Sequence, residues 1–292
     1  MGCRVVWLAI FAVSAFAETP AQRAIDYLSV EVPRWSRENG CFSCHNNGDA
    51  MRALLAARAQ GRKVPAEALA DTVAWLARPG RWEENKGNPA FSDKKLARMQ
   101  FAAALADWGG DSRALREAAE QVARDQEMGG SWIVDASTPA GSPVTWGTAL
   151  ATYLTRRTIQ RAGVAPEAVT RATRWLKTFV PSNIPEAAVK LMAFPGDAAA
   201  FEMLLAAQSG DGGWGPRRSA PAEPFDTALA VLALHEAHRS PDAVARGRKF
   251  LIATQLTDGG WPATTRPPGG QSYAQHISTT GWAALALIRT MQ

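Results

Sequence analysis

Residues 246–261 read RGRKFLIATQLTDGGW, an apolar helical segment that runs into a glycine-rich loop. Gln255 lies six residues before Trp261, and Gly259 lies two residues before the same tryptophan. The same spacing occurs in two further segments, which indicates a repeated structural unit. The other copies are Gln126, Gly130 and Trp132, and Gln208, Gly212 and Trp214, with a degenerate copy at Gly80-Arg81-Trp82.

Apolar segments with helical spacing precede and follow these loops. Ala228, Val231, Leu232 and His235, for example, follow i, i+3, i+4, i+7 spacing. One helix pair cannot bury both of its faces, whereas a closed ring gives every pair two neighbours. We therefore predict an all-α fold in which six helix pairs form a ring. The predicted pairs are 21–35 with 47–60, 66–77 with 93–108, 113–126 with 143–162, 166–180 with 185–193, 197–208 with 225–239, and 242–254 with 278–290.

Short polar side chains mark the expected starts of the last two inner helices. Asp226 or Thr227 is predicted to cap one helix, and Ser278 or Thr279 the other. Such side chains accept hydrogen bonds from the first free backbone N–H groups of a helix.

The repeated segment resembles the QW motif of squalene-hopene cyclases and related terpenoid cyclases. The resemblance is strongest over 113–292 and extends over 20–292. It implies an (α/α)6 toroid in which the outer helices lead through the motif loops into the inner helices. It also implies that the motif glutamines and tryptophans are structural: the Gln amide satisfies helix-end groups and the Trp ring covers it.

Cyclase chemistry does not follow from this resemblance. Those cyclases protonate an alkene with the central aspartate of a DxDD motif, and no two aspartates are adjacent in this chain. Asp226, in Glu223-Pro224-Phe225-Asp226, is the remaining weak candidate for a catalytic acid. The cyclases also carry two helical barrels, whereas this chain has the length for one, and the Asp/Cys/His zinc set of the related prenyltransferases is not present at matching positions.

The N-terminus predicts export. Residues 1–17 combine Arg4, an apolar run and Ala15-Phe16-Ala17, which fits a signal peptide cleaved after Ala17; a retained anchor is the alternative. Residues 18–292 are then a single toroid domain in the periplasm or outside the cell, with no transmembrane segment expected. The net charge of +5 is spread along the chain, which argues against a nucleic-acid partner.

The mature chain keeps two cysteines, Cys41 and Cys44, directly before His45. CxxCH is the attachment signature of c-type haem, in which two thiols form thioethers and the histidine becomes the proximal iron ligand. Cys41, Cys44 and His45 are therefore the candidate haem c site. A disulfide, free thiols or another metal are the alternatives.

A sixth iron ligand is suggested by the ring. The sixth pair neighbours the first, so His276, expected just before the last inner helix, could approach His45. Met51 and Met99 compete for this role, and an exposed loop histidine is the plain alternative for His276.

The sequence thus favours an exported toroid with one covalent haem, a redox partner protein and an apolar ligand in its cavity. The alternatives are a terpenoid-, prenyl- or glycan-acting enzyme, or a ligand-binding module, that uses the central cavity with CxxC as a disulfide.

Overall fold

The computed structural model describes residues 18–86, 93–134, 140–266 and 269–291. The predicted signal peptide, residues 1–17, lies outside the described residues. Within them the regular structure is helical throughout, without strands. None of the described helices is both long and apolar enough to cross a membrane.

The described part of the chain contains twelve α-helices and two short helical turns of other pitch. A π-helical turn, Cys44–Ala50, leads directly into α2, and a 3-10 turn spans Pro79–Glu84. The α-helices are α1 (Pro20–Asn39), α2 (Met51–Ala59), α3 (Glu67–Leu76), α4 (Lys94–Trp108), α5 (Ser112–Arg124), α6 (Thr148–Ala162), α7 (Pro166–Thr178), α8 (Ile184–Ala193), α9 (Ala198–Ala207), α10 (Pro224–Glu236), α11 (Pro241–Thr254) and α12 (Tyr273–Thr290).

The even-numbered helices form a closed inner ring. Each contacts the next one in the series, and α12 returns to contact α2 and the π-helical turn. Outer helices lie between two inner ones: α5 contacts α4 and α6, and α11 contacts α10 and α12. This arrangement confirms the predicted all-α toroid of six helix pairs, including the fourth pair, which has no motif loop.

Each motif glutamine ties its loop to the next outer helix. The Gln255 amide nitrogen donates to the Gly259 carbonyl at 2.9 Å and to the Pro20 carbonyl at 2.9 Å, and its oxygen accepts from Arg23 at 2.5 Å. The Trp261 indole N–H donates to the Leu251 carbonyl at 2.7 Å. The other two loops repeat these contacts, with Gln126 reaching Ala168 and Arg171, and Gln208 reaching Ala243 and Arg246.

Gln255 therefore joins the two ends of the ring, because its partners lie in the first helix. Gly259 makes this contact possible: its φ is +95°, and a Cβ atom there would lie 2.4 Å from the Arg23 carbonyl oxygen. A side chain would be strained by the backbone conformation and would collide with α1.

The predicted N-caps are wrong. Helix α10 begins at Pro224 after Glu223, and α12 begins at Tyr273, where the Ser272 side chain accepts from the Gln275 N–H. The chain enters both helices earlier than the polar pattern indicated, since proline suits the first helical position and Ser272 provides a nearer cap. His276, expected before the last inner helix, consequently lies inside α12.

Thr227 and Thr279, which the sequence predicted as caps, instead accept hydrogen bonds from backbone N–H groups of the loops. The Thr227 hydroxyl accepts from the Trp214 backbone N–H at 2.9 Å, and the Thr279 hydroxyl accepts from the Thr264 N–H at 3.0 Å. Thr280 does the same for the Trp261 N–H at 3.0 Å. Inner helices and loops are thus fastened by side chains within the helices.

Gln255→Ala should lower the free energy of unfolding by about 1–3 kcal/mol, because it removes the donor to the carbonyl of buried Gly259 and the hydrogen bonds to Pro20 and Arg23. Gln160→Ala, on an exposed position of α6, is the matched control and should change stability little. Urea unfolding followed by circular dichroism measures both. Equal stabilities of the two variants would show that this glutamine does not secure ring closure.

Candidate functional site

The CxxCH segment forms the link between α1 and the first inner helix. Gly40 ends α1 with a φ of +62°, and the Ser43 hydroxyl caps the π-helical turn by accepting from the N–H groups of His45 and Asn46. The Asn85 side chain accepts from the Phe42 N–H at 2.9 Å and donates to its carbonyl at 2.7 Å. The segment therefore has a defined conformation at the rim that also carries the motif loops.

Cys41 and Cys44 are free thiols, each half-buried. Burial raises the pKa of the Cys44 thiol to about 12, and the nearby Asp49 adds to this effect. Cys44 is thus protonated at neutral pH. The disulfide alternative is not the state that the structure shows.

His45 begins a hydrogen-bonded chain that runs into the protein. Its Nδ1 lies 3.1 Å from the Ser278 Oγ, and Ser278 donates to the Asp49 carboxyl at 3.1 Å. When the serine proton points at Asp49, Nδ1 must be the donor to Ser278, which leaves the lone pair on Nε2. Burial lowers the pKa of His45 to about 4, so the ring is neutral at pH 7.

Asp49 is the buried end of this chain, and its residue is only 2% exposed. Its carboxyl also accepts from the Gln100 amide at 3.0 Å and from the Trp146 indole at 3.1 Å. Burial raises its pKa to about 7, against the opposing effects of Arg52 and of the three hydrogen bonds. A carboxyl with this pKa can both give and accept a proton near neutral pH.

Close backbone approaches place Asp49 where three inner helices meet. A Cβ on Gly48 would lie 3.0 Å from the Gln100 Cβ, and one on Gly281 would lie 2.8 Å from the Ala50 Cα. Glycine at both positions lets α4 and α12 approach the π-helical turn. Such turns interrupt the regular helix ladder and often lie at functional sites.

Two buried asparagines fix the same turn against α1. The Asn46 amide donates to the Glu31 carbonyl at 3.0 Å and to the Tyr273 hydroxyl at 2.7 Å. The Asn47 amide donates to the Val32 carbonyl at 3.3 Å and to the Thr72 hydroxyl at 2.7 Å.

A second acidic cluster surrounds Asp226. Arg266 donates to both Asp226 oxygens, at 2.8 and 2.9 Å, and lies 3.1 Å from Glu223. It also donates to the Gly141 carbonyl. Burial raises the pKa of Glu223 to about 7, helped by Asp226 and opposed by Arg266, and burial raises that of Asp226 against Arg266. The ion pair with Arg266, whose side chain is 9% exposed, gives Asp226 a structural partner, and Asp226 itself has no exposed surface.

Aromatic rings fill the axis between the two clusters. Trp282 makes edge contacts with Trp146, 6.5 Å between centroids, and with Phe225, at 5.9 Å. Beneath them, Arg52 lies 4.8 Å from the Trp282 ring. The cavity recorded around Trp282 in the described residues has a volume of about 10 Å³, which holds no more than about one water molecule.

His276, the proposed sixth ligand, does not face His45. His276 Nε2 lies 2.8 Å from the Tyr27 hydroxyl, whereas His45 contacts Ser278. Two residues along a helix lie about 200° apart, so these contacts are on opposite sides of α12. Met51 and Met99 are both buried in the core.

The donor set at Cys41, Cys44 and His45 is compatible with haem c. Two unbridged thiols flank the histidine at the required spacing, and the Ser278 contact would hold the ring through Nδ1 with Nε2 available to iron. Metal-ligating histidines are commonly oriented in this manner by a second hydrogen bond. In the described residues, no group of three or more His, Cys, Asp or Glu side chains could hold a metal ion.

Sequence reasoning missed Asp49, Ser278 as its partner, and Arg266. Asp49 lies four residues after His45, a helical spacing that could have linked the two. Ser278 and Arg266 lie more than 200 residues away from the CxxCH segment, and nothing local marks them.

The comparisons with known proteins agree on the fold. No family model matches the chain. The structure of the apo type II terpene cyclase MstE from Scytonema superposes with a TM-score of 0.55 at 15% identity, covering 93% of this chain and 99% of that one. The chain therefore has a terpenoid-cyclase-like toroid fold.

Two curated proteins match a short segment. Drimenyl diphosphate synthase from Streptomyces showdoensis is 39% identical over 64 residues, and that from Streptantibioticus cattleyicolor is 39% identical over 62 residues. Each match covers 21% of this chain and 12% of the synthase. The chain thus matches about an eighth of the length of these relatives.

The opposite pKa shifts of Asp49 and His45 predict a specific pH dependence. Between pH 3.8 and about 7 the folded state holds more protons on Asp49 than the unfolded state, so this group lowers stability as the pH rises. His45, with a folded pKa of about 4 against 6.5, raises stability between those values. Asp49→Asn removes the pH-dependent contribution of Asp49 to stability and leaves that of His45.

The free energy of unfolding of Asp49→Asn, relative to the unmodified chain, should therefore increase by roughly 2–4 kcal/mol between pH 4 and pH 7. Urea unfolding at four pH values measures it, with the exposed Asp242→Asn as the control for loss of an acidic charge. A difference that stays constant with pH would exclude the raised pKa of Asp49.

Proposed function

We propose that the chain is a terpenoid-type enzyme that transfers a proton on an apolar isoprenoid substrate, with His45, Ser278 and Asp49 as its acid–base group. The observation that carries this proposal is the hydrogen-bonded chain from half-buried His45 through Ser278 to buried Asp49. Support for the substrate class comes from the fold likeness to a terpene cyclase and from the local similarity to two drimenyl diphosphate synthases.

The electrostatics favour proton transfer at the rim. The neutral His45 ring presents a lone pair on Nε2 and can accept a proton from a substrate C–H next to a cationic or polarised carbon. Asp49, when ionised, stabilises the resulting imidazolium through Ser278. The reverse transfer, from imidazolium Nε2 to a substrate carbon, restores the group, so the cycle needs no oxidant or reductant.

Trp146 donates its N–H to Asp49 and packs against Trp282. The two rings are 1% and 3% exposed, so they position the Asp49 carboxyl and do not contact a substrate at the rim. Trp146, Trp282 and Phe225 occupy the axis, so the proposed chemistry takes place at the rim beside His45.

A direct assay tests the proposal. The full chain, incubated with farnesyl diphosphate, geranylgeranyl diphosphate or squalene, should give an isomerised or cyclised product detected by gas chromatography and mass spectrometry. His45→Gln and Asp49→Asn should reduce the rate by about 10²–10⁴-fold, the range of general acid–base catalysis. His238→Asn, at an exposed histidine beyond α10, is the control. Full turnover by His45→Gln, or no product from any of the three substrates, would contradict the proposal.

Covalent haem at Cys41 and Cys44 is the second candidate, favoured by the unbridged thiols at CxxCH spacing. Cys41 and Cys44 would hold the group, His45 Nε2 would bind its iron, and Ser278 would orient the ring. Bound haem would supply one-electron redox chemistry. This candidate depends on the export predicted from residues 1–17 and on a redox partner protein, and it leaves the sixth ligand unassigned.

A visible spectrum separates the two candidates. Haem predicts a Soret band and sharp reduced α and β bands in protein made with a cytochrome c maturation system, retained after denaturing electrophoresis. Cys41→Ser with Cys44→Ser should abolish the covalent colour, whereas Ser43→Ala should keep it. Colourless protein from these cells would remove the haem candidate and leave the acid–base proposal standing.

A further inference from the structure

The rim opposite the motif loops carries a dense group of arginines. The Asp107 carboxyl lies 2.8 Å from Arg52 Nε, 3.2 Å from Arg157 and 3.9 Å from each of Arg161 and Arg289. Glu236 lies 3.1 Å from Arg289 and is the second carboxylate in the group. Four guanidinium groups therefore face two carboxylates.

The ends of helices explain only part of this charge. Cations are favourable in the last turn of a helix, and Arg161 and Arg289 occupy such positions in α6 and α12. Arg52 lies at the start of α2 and Arg157 lies five residues before the end of α6. Arg52 and Arg157 share the Asp107 carboxyl with Arg161 and Arg289, so the four guanidinium groups exceed the two carboxylates by two positive charges.

Neighbouring positive charges disfavour the charged form of Arg289. Burial lowers the pKa of this guanidinium, Asp107 opposes the effect, and the charges of Arg52 and Arg157 add to it. An additional negative charge at this point would relieve the repulsion.

An unpartnered donor lies in the same place. The Trp282 residue is 3% exposed, and its indole Nε1 is buried without a hydrogen-bond partner among the described residues. Trp282 lines the small cavity together with Arg52, Tyr153, Arg157, Glu236 and Arg289. A buried N–H without an acceptor destabilises the folded state, so a ligand oxygen that accepts this hydrogen bond would stabilise the protein.

We propose that this rim binds a phosphate group, held by Arg52, Arg157 and Arg289 with Trp282 as a further donor. Guanidinium groups match tetrahedral oxyanions because they donate parallel hydrogen bonds. The cavity of about 10 Å³ is smaller than a phosphate group, so the proposed binding requires Arg157 and Arg289, whose side chains are 36% and 24% exposed, to move apart around the anion. The site lies apart from His45 and does not depend on the proposed function.

Binding to the full chain tests this site. Inorganic phosphate and diphosphate, compared with chloride at equal ionic strength, should raise the melting temperature, and calorimetry should give a saturable isotherm. Arg157→Gln should weaken phosphate binding at least about tenfold, the loss of one charge-assisted contact. Trp282→Phe, which keeps an aromatic side chain and removes the indole N–H, should weaken it several-fold. Arg58→Gln, at an exposed position of α2, should leave it unchanged.

A second set of binding experiments distinguishes a lipid headgroup from free phosphate. Dihexanoyl phosphatidic acid, below its micellar concentration, carries the same headgroup on a lipid, and tighter binding than inorganic phosphate would identify a lipid ligand. Tighter binding of inorganic phosphate would identify a free anion. Equal melting temperatures in phosphate and chloride, or unchanged affinity in Arg157→Gln, would overturn the proposal.

Discussion

The ring depends on the side-chain amide of each motif glutamine. One amide can donate to its own loop and to the next outer helix at once, while its oxygen accepts from an arginine one turn into that helix. The amide gives the motif-glycine carbonyl of the loop a donor, and it adds a second donor to a first-turn carbonyl of the next helix, which already accepts within that helix. At Gln255 the next helix is the first of the chain, and the local repeat becomes a closed architecture.

Ring closure explains which side chains occupy the interior. Six inner helices that meet around one axis leave a narrow centre, which Trp146, Trp282 and Phe225 fill. Glycine at positions 48 and 281 allows the helices to approach further. Most polar groups inside such a packed ring are hydrogen-bonded, and Asp49 accepts hydrogen bonds from donors in three other segments.

The two rims consequently differ in chemistry. The motif-loop rim holds neutral histidine, a carboxyl with a raised pKa and two thiols, which are groups that exchange protons or bind a metal-carrying group. The opposite rim holds four guanidinium groups around Asp107. Trp282 contacts both regions, since one edge packs on Trp146 and its face lies over Arg52.

The amino-acid sequence by itself determined the helices, their pairing and the ring. Helical periodicity and the spacing of Gln255, Gly259 and Trp261 are local properties. Because the pattern repeats along the chain, it also predicts how the helix pairs are arranged. Local patterns failed where proline or a nearer serine set the helix start, as at Pro224 and Ser272. Only the tertiary structure decided what surrounds His45. Burial by helices that are distant in sequence raises the pKa of Asp49. Ser278 reaches His45 only because ring closure brings α12 beside the first inner helix.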